Sequence, residues 1–260
     1  MRKVLKGLAA FALLATVLYG SVRWGTSPLE WRNTFDGDGC CVDIVHAGGL
    51  LDGVPYTNSL EALNANYAAG RRVFEVDFEL TSDGVLVLAH DWDAYGGWAP
   101  SHNAFLAAGP HTHLDFAGFV VWIAEVCGDC RIVTDPKIDF GRFWEIFAAT
   151  VPVEMQKRQF VLQTYDFATA RTLHVRAPLQ PQILTLYRVE DIADDDLRAL
   201  TKIQSMIAVT MSLDRVPLEA GKAMRLSGKP VFSHGYPWAI RSEFILRLAR
   251  LFGVTGFYKD

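Results

Sequence analysis

Eight apolar runs, each the length of one strand, recur along the chain at 42–46, 73–78, 131–135, 159–164, 182–187, 205–211, 230–234 and 255–259. Helical patterns stand between most of them, at 140–150, 167–176, 194–203, 218–226 and 242–252. Alternation of this kind requires crossover connections, which join parallel neighbours, so the pattern predicts a (β/α)8 TIM barrel. A chain of 260 residues, half of them hydrophobic, has the apolar surface to close such a barrel as one domain over 42–260. A ninth run, Val85 to Ala89, follows the turn Ser82-Asp83-Gly84 and reads as an extra hairpin strand after strand two. No helical pattern follows the eighth strand, which leaves that place in the outer ring to be filled from residues 26–39 or left open.

Strand two carries the chemistry. In Phe74-Glu75-Val76-Asp77-Phe78 the two acids share one face and the apolar side chains the other, because strand periodicity is two. Two carboxylates on one face repel each other unless a cation joins them, and hard oxygen donors suit Ca2+ or Mg2+. An acidic solvent face on an edge strand is the other reading of the same alternation. His90 ends the hairpin run and His46 ends strand one, where acid/base groups would reach the same rim. Between strands one and two, 58–70 reads as a helix with Asn58 as N-cap and Gly70 as its stop.

The ordered series His46-Ala-Gly, Asn58-Ser-Leu-Glu, Gly70, Phe74-Glu-Val-Asp, Thr81-Ser-Asp-Gly and His90-Asp91 resembles the glycerophosphodiester phosphodiesterase family, a branch of the phosphatidylinositol phospholipase C-like barrels. The family pattern runs H-R-G, P-E-N-T, G, E-x-D, T-x-D-G, H-D. The last strand, Gly253-Val-Thr-Gly256-Phe-Tyr-Lys-Asp260, is similar to its closing G-V-D-G-I-x-T-D. Asp135-Pro136-Lys137 resembles its third-strand acid-x-Lys signature. The resemblance implies metal ligation by Glu75, Asp77 and Asp135, a phosphate contact from Lys137, and hydrolysis of a phosphodiester with His46 and His90 as acid and base. A transferase or lyase that forms a cyclic phosphate uses the same residues, and an inactive barrel that binds a glycan or lipid headgroup is the alternative outside enzymes. Two positions depart from the pattern: Ala47 stands where the family has arginine, and Thr57 where it has the glutamate of P-E-N-T. Loss of that arginine removes a bidentate phosphate clamp that lysine does not reproduce.

The long connection from Asp91 to Asp115 contains Trp92, Tyr95, Trp98, Phe105 and three histidines, and its aromatic faces are expected to shape a site for a sugar, an inositol or a headgroup. Tyr187 and His234 end strands five and seven, Tyr165 and Trp238 follow strands four and seven, and all four are assigned to substrate contact.

The N-terminus reads separately. Arg2, Lys3 and Lys6 precede an uncharged stretch from Gly7 to Val22, which gives a signal-anchor or signal peptide over 1–25 with a hydrophobic helix, membrane contact through 4–22, and a linker over 26–41. The basic flank stays in the cytoplasm, so the barrel is expected outside it, on the periplasmic or cell-surface side. Cys40-Cys41 and Cys127-Gly-Asp-Cys130 both precede barrel strands, at the face opposite the chemistry, and read as one or two disulfides, with a four-thiolate zinc site as the second reading. The net charge of −4 and the lack of a basic stripe argue against a nucleic-acid partner.

Overall fold

The computed structural model describes residues 43–235 and 242–259. Nine strands form one sheet: β1 (Ile44–Val45), β2 (Val73–Leu80), β3 (Leu86–Leu88), β4 (Arg131–Pro136), β5 (Phe160–Thr164), β6 (Gln182–Thr185), β7 (Met206–Ser212), β8 (Val231–His234) and β9 (Val254–Lys259). Eight of them, all but β3, pair in parallel, and β1 pairs with both β2 and β9, which closes the ring. The predicted barrel is therefore present, with its eight strands where the apolar runs lie. β3 pairs antiparallel to β2, Phe78 opposite Leu88, and is the expected hairpin outside the ring.

The helices are α1 (Leu60–Ala68), α2 (His102–Leu106), α3 (Phe116–Glu125), α4 (Phe140–Thr150), α5 (Val153–Gln159), α6 (Phe167–Arg176), α7 (Asp194–Ala199), α8 (Val216–Ser227) and α9 (Glu243–Leu251). α4 shows why these segments fold as they do. Phe140, Phe143, Trp144 and Phe147 fall at helical spacing on one side, Asp139 caps the start by accepting from the Arg142 amide at 2.9 Å, and Pro152 forces Val151 into an extended conformation that ends it. The buried side packs on β2, β4 and β5, where Phe74, Val76, Phe78, Phe160 and Leu162 point outward. Phe78 meets Phe116 and Phe143 with ring centroids 5.4 Å from each, and burying each such ring stabilises the fold by roughly 2–3 kcal/mol. Because the apolar face of β2 goes outward to the helices, Glu75 and Asp77 are left facing the barrel interior.

Three helices escape the sequence pattern, the five-residue α2 inside the 91–115 connection and two more. α3 is apolar on nearly every side, with Val120 and Val121 in it, and α5 is a short polar run; neither has a clear helical stripe. The start of α1 is also corrected: Ser59, not Asn58, is its N-cap, accepting from the Ala62 amide at 3.3 Å.

Cys127 and Cys130 form a disulfide, fully buried between α3 and β4 at the bottom of the barrel. Cys40-Cys41, the hydrophobic segment 1–25, the linker 26–41 and Trp238 lie outside the described residues. Among the described residues no helix is long and apolar enough to cross a membrane.

Candidate active site

Parallel register places the acids. Asp77 of β2 lies opposite Asp135 of β4, and Glu75 opposite Val133, so three inward carboxylates converge from two neighbouring strands. One oxygen from each of Glu75, Asp77 and Asp135 can be chosen so that all lie within 4.8 Å of one another. Glu75 is 1 % exposed and Asp77 fully buried, which excludes the solvent-face reading of the alternation.

Each carboxylate is held by its own partner. Glu75 Oε2 accepts from the Ala47 amide at 2.7 Å, and His46 Nε2 stands 3.9 Å from the same oxygen. Asn58 donates to Asp77 Oδ2 at 2.8 Å, while its side-chain oxygen accepts from the Asp77 amide at 3.1 Å. The Tyr165 hydroxyl donates to Asp135 Oδ1. Lys137 Nζ lies 2.9 Å from Asp77 Oδ1 and 2.7 Å from Asp135 Oδ2, supplying one positive charge among three acids. One charge does not balance them.

The titration behaviour follows from this crowding. Burial, reinforced by the neighbouring Asp77 charge, pushes the Glu75 carboxyl up to about 8. Burial alone would lower the Lys137 ammonium, but Asp77, Asp135 and Glu75 outweigh it and hold the group above its ordinary value. Burial, followed by the Asp135 charge, likewise raises Tyr165, so its phenol stays protonated and remains a donor.

A divalent cation fits this donor set. Glu75 Oε1 is buried without a hydrogen-bond partner, an arrangement that costs free energy unless something positive meets it. Three converging carboxylate oxygens are hard ligands suited to Ca2+ or Mg2+, without selecting between them.

Around the acids is a cavity of about 200 Å³ whose lining includes His46, His90, Tyr56, Lys137, Tyr187 and His234. His46 begins a short turn, His46–Gly48, in which Ala47 adopts φ +50°. A left-handed alanine costs about 1 kcal/mol; here it aims the Ala47 amide at Glu75. His90 Nδ1 is 2.6 Å from Asp91 Oδ2, which fixes the ring and leaves Nε2 as the exchangeable position. His234 is pulled down to about 4, first by burial and then by the His46 charge, so at neutral pH it serves as an uncharged hydrogen-bonding group. Its Nε2 is buried without a partner.

The structure thus brings together His46, His90, Glu75, Asp77, Asp135, Lys137, Tyr187 and His234, with Tyr165 one hydrogen bond behind Asp135. The loop from Asp91 to Asp115 departs from expectation. None of its residues lines the cavity. Trp92, Tyr95 and Phe105 pack on one another at 5.7–6.2 Å between ring centroids, over Val87 and Ala89, so the loop builds a small core on β3. His102 bonds Asp115 at 2.9 Å, and the His113 ring packs tilted against Phe105, centroids 4.6 Å apart.

Three contributors are not expected at the site from sequence, and only Asn58, read as an N-cap, is singled out there at all. Tyr56, at φ +61°, sets its ring 5.0 Å from His46 and 4.7 Å from His90. Gln163 donates to the Tyr165 hydroxyl at 3.0 Å and accepts from Tyr258 at 3.1 Å, and only its inward place in β5 could have revealed it. Asn58 is fully buried with φ +45°, a conformation that asparagine tolerates better than most residues. Asn58→Ala strips two buried hydrogen bonds from a charged partner and leaves alanine in a left-handed site. We expect a loss of about 3 kcal/mol, read from urea unfolding, and a variant as stable as wild type would refute the role.

The Glycerophosphoryl diester phosphodiesterase family model matches residues 49–100, which contain Glu75, Asp77, His90 and Asn58. No curated protein matches the chain. Solved structures with the same fold include a glycerophosphodiester phosphodiesterase from Thermotoga maritima, 16 % identical, TM-score 0.64, with 86 % of this chain and 96 % of that one covered. A glycerophosphoryl diester phosphodiesterase from Parabacteroides distasonis is 17 % identical over 88 % of this chain and 87 % of that one, TM-score 0.59. An Oleispira antarctica phosphodiesterase in complex with the product sn-glycerol-3-phosphate is 13 % identical, TM-score 0.62, over 85 % of this chain and 93 % of that one.

Proposed function

We propose that this chain, a divergent member of the glycerophosphoryl diester phosphodiesterase family, is a metal-dependent hydrolase that cleaves glycerophosphodiesters or related headgroup diesters. The observation that carries the reading is the convergence of three buried carboxylates, Glu75, Asp77 and Asp135, with two histidines at one cavity. The fold alone would carry little, because barrels of this class host many chemistries. Its product-bound Oleispira relative supports glycerol phosphate as the product class.

Glu75, Asp77 and Asp135 would hold the cation, which when bound supplies positive charge to a phosphoryl oxygen. The remaining steps belong to the chain. Lys137 adds an ammonium beside two of the acids and draws the anionic diester inward. His90, fixed by Asp91, presents Nε2 to take a proton from the attacking hydroxyl or water. His46, beside Glu75, gives a proton to the departing alkoxide. His234 and Tyr187 border the cavity and hold the outward part of the substrate.

Phosphorus-31 NMR of the full chain with glycerophosphocholine, glycerophosphoethanolamine and glycerophosphoinositol, each with Ca2+ or Mg2+, tests this function. Appearance of glycerol phosphate is the expected result. Accumulation of a cyclic phosphate as end product would make the enzyme a lyase, and no turnover of any diester would leave a binding barrel. The basic Arg2, Lys3 and Lys6 before the uncharged 7–22 stretch support export of the barrel, for which activity of a C-terminal alkaline phosphatase fusion is the check.

A further inference from the structure

We propose that Arg188 forms an outer anion subsite, which selects diesters whose outward alcohol carries a carboxylate or a second phosphate; this rests on the hydrolase reading of the inner site. Arg188 lies just beyond β6, in the turn Leu186 to Val189 closed by the Val189 amide on the Leu186 carbonyl at 3.0 Å. Arg215 fixes that turn from behind, donating to the carbonyls of Leu186 and Val189 at 2.7 Å each, and is itself held by Glu219. The loop that presents Arg188 is therefore built before any ligand arrives.

The guanidinium is equally constrained. It lies over the Tyr165 ring at 4.2 Å and near the Tyr187 ring at 5.4 Å, and its Nε donates to the Tyr187 hydroxyl at 2.9 Å. Among the described residues neither Nη1 nor Nη2 makes a hydrogen bond, and no carboxylate pairs with it. A planar fork with two free corners, exposed at the rim, is suited to bidentate capture of a carboxylate or phosphate. Arg188 is absent from the lining of the inner cavity, so it meets what extends past Tyr187 and not the phosphoryl group at the acids.

The same stacking disfavours the opposite headgroup. Two tyrosine faces at a site mouth would suit a quaternary ammonium, but here the guanidinium already covers them. A cationic headgroup arriving there meets a like charge.

Glycerophosphoserine and glycerophosphoethanolamine differ by one carboxylate and give a matched test. For wild type we expect kcat/KM to favour the serine diester by about 10-fold or more, the scale of one charge-assisted hydrogen-bonded contact. Arg188→Ala should bring the ratio near one, chiefly through KM for the serine diester, and Arg188→Glu should invert it. Arg188→Lys, which keeps charge but not the fork, should recover only part. Arg188 is exposed, so unchanged melting of each variant separates selectivity from folding. If both diesters turn over and the ratio ignores Arg188→Ala and Arg188→Glu, the subsite is refuted while the hydrolase reading stands. If wild type cleaves neither, the hydrolase reading fails, and calorimetric binding of the two diesters still decides on Arg188: equal affinities would overturn it.

Discussion

Glu75→Gln should lower cation-dependent turnover by about 10³-fold or more, the scale on which removal of one charge-stabilising group acts in a buried site. The same substitution stabilises the metal-free protein at alkaline pH. Without a cation, burial and Asp77 hold the Glu75 carboxyl up at about 8, above the value near 4.5 that it has when unfolded. The folded state then keeps a proton that the unfolded chain releases, so this contribution is complete below about pH 4.5 and is lost as pH rises through 8. A gap of one pH unit between the folded and unfolded values corresponds to about 1.4 kcal/mol, which makes the loss a few kcal/mol across the window. In chelator, wild type should therefore lose melting temperature between pH 6 and 9 relative to Glu75→Gln. Added Ca2+ or Mg2+ should restore wild type and not the variant, since binding to the folded state stabilises by mass action. Parallel pH profiles for the two proteins in chelator would mean that Glu75 is not the strained member of the triad.

His46→Ala and His90→Ala should each reduce kcat by about 10²–10⁴-fold, the contribution of a positioned proton-transfer group. The affinity for the cation should hardly change, because neither ring belongs to the acidic triad. Each variant should also lose one limb of the pH–rate profile, His90→Ala the limb set by the base and His46→Ala the limb set by the acid. Asp91→Asn keeps the His90 ring but weakens its fixed tautomer, so its loss should be smaller than that of His90→Ala. Retention of more than about a tenth of wild-type kcat by either alanine variant would remove that histidine from the acid/base scheme.

Much of this was legible in the order of residues. Strand positions followed from apolar runs, because a parallel barrel strand buries both faces and cannot hide its composition. Glu75 and Asp77 were legible from the period-two alternation of their strand, and Asp135, His46 and His90 because each lies at or just past a strand end, where such ends share one rim. What sequence could not supply was side-chain reach. Asn58 sits where an N-cap is expected, yet its side chain turns to Asp77, because a left-handed backbone places it under β2 and leaves capping to Ser59. The aromatic loop after His90 has the composition of a substrate clamp, but Trp92, Tyr95 and Phe105 satisfy one another over the otherwise bare outer face of β3. Tyr56 and Arg188 stand in irregular segments, where no periodicity tells which way a side chain points. Ala47 shows the opposite case: its amide alone serves Glu75, so the loss of arginine there leaves the acidic centre intact.

Cation dependence of turnover bears most directly on the three-carboxylate centre. Full-length protein is stripped with chelator, assayed on a glycerophosphodiester by phosphorus-31 NMR, and then titrated with Ca2+ or Mg2+. We expect no glycerol phosphate in chelator and its return on titration, with Glu75→Gln, Asp77→Asn and Asp135→Asn failing to respond at the same concentrations. Hydrolysis that continues unchanged in chelator, or triad variants that respond like wild type, would contradict a metal-dependent site at these three acids.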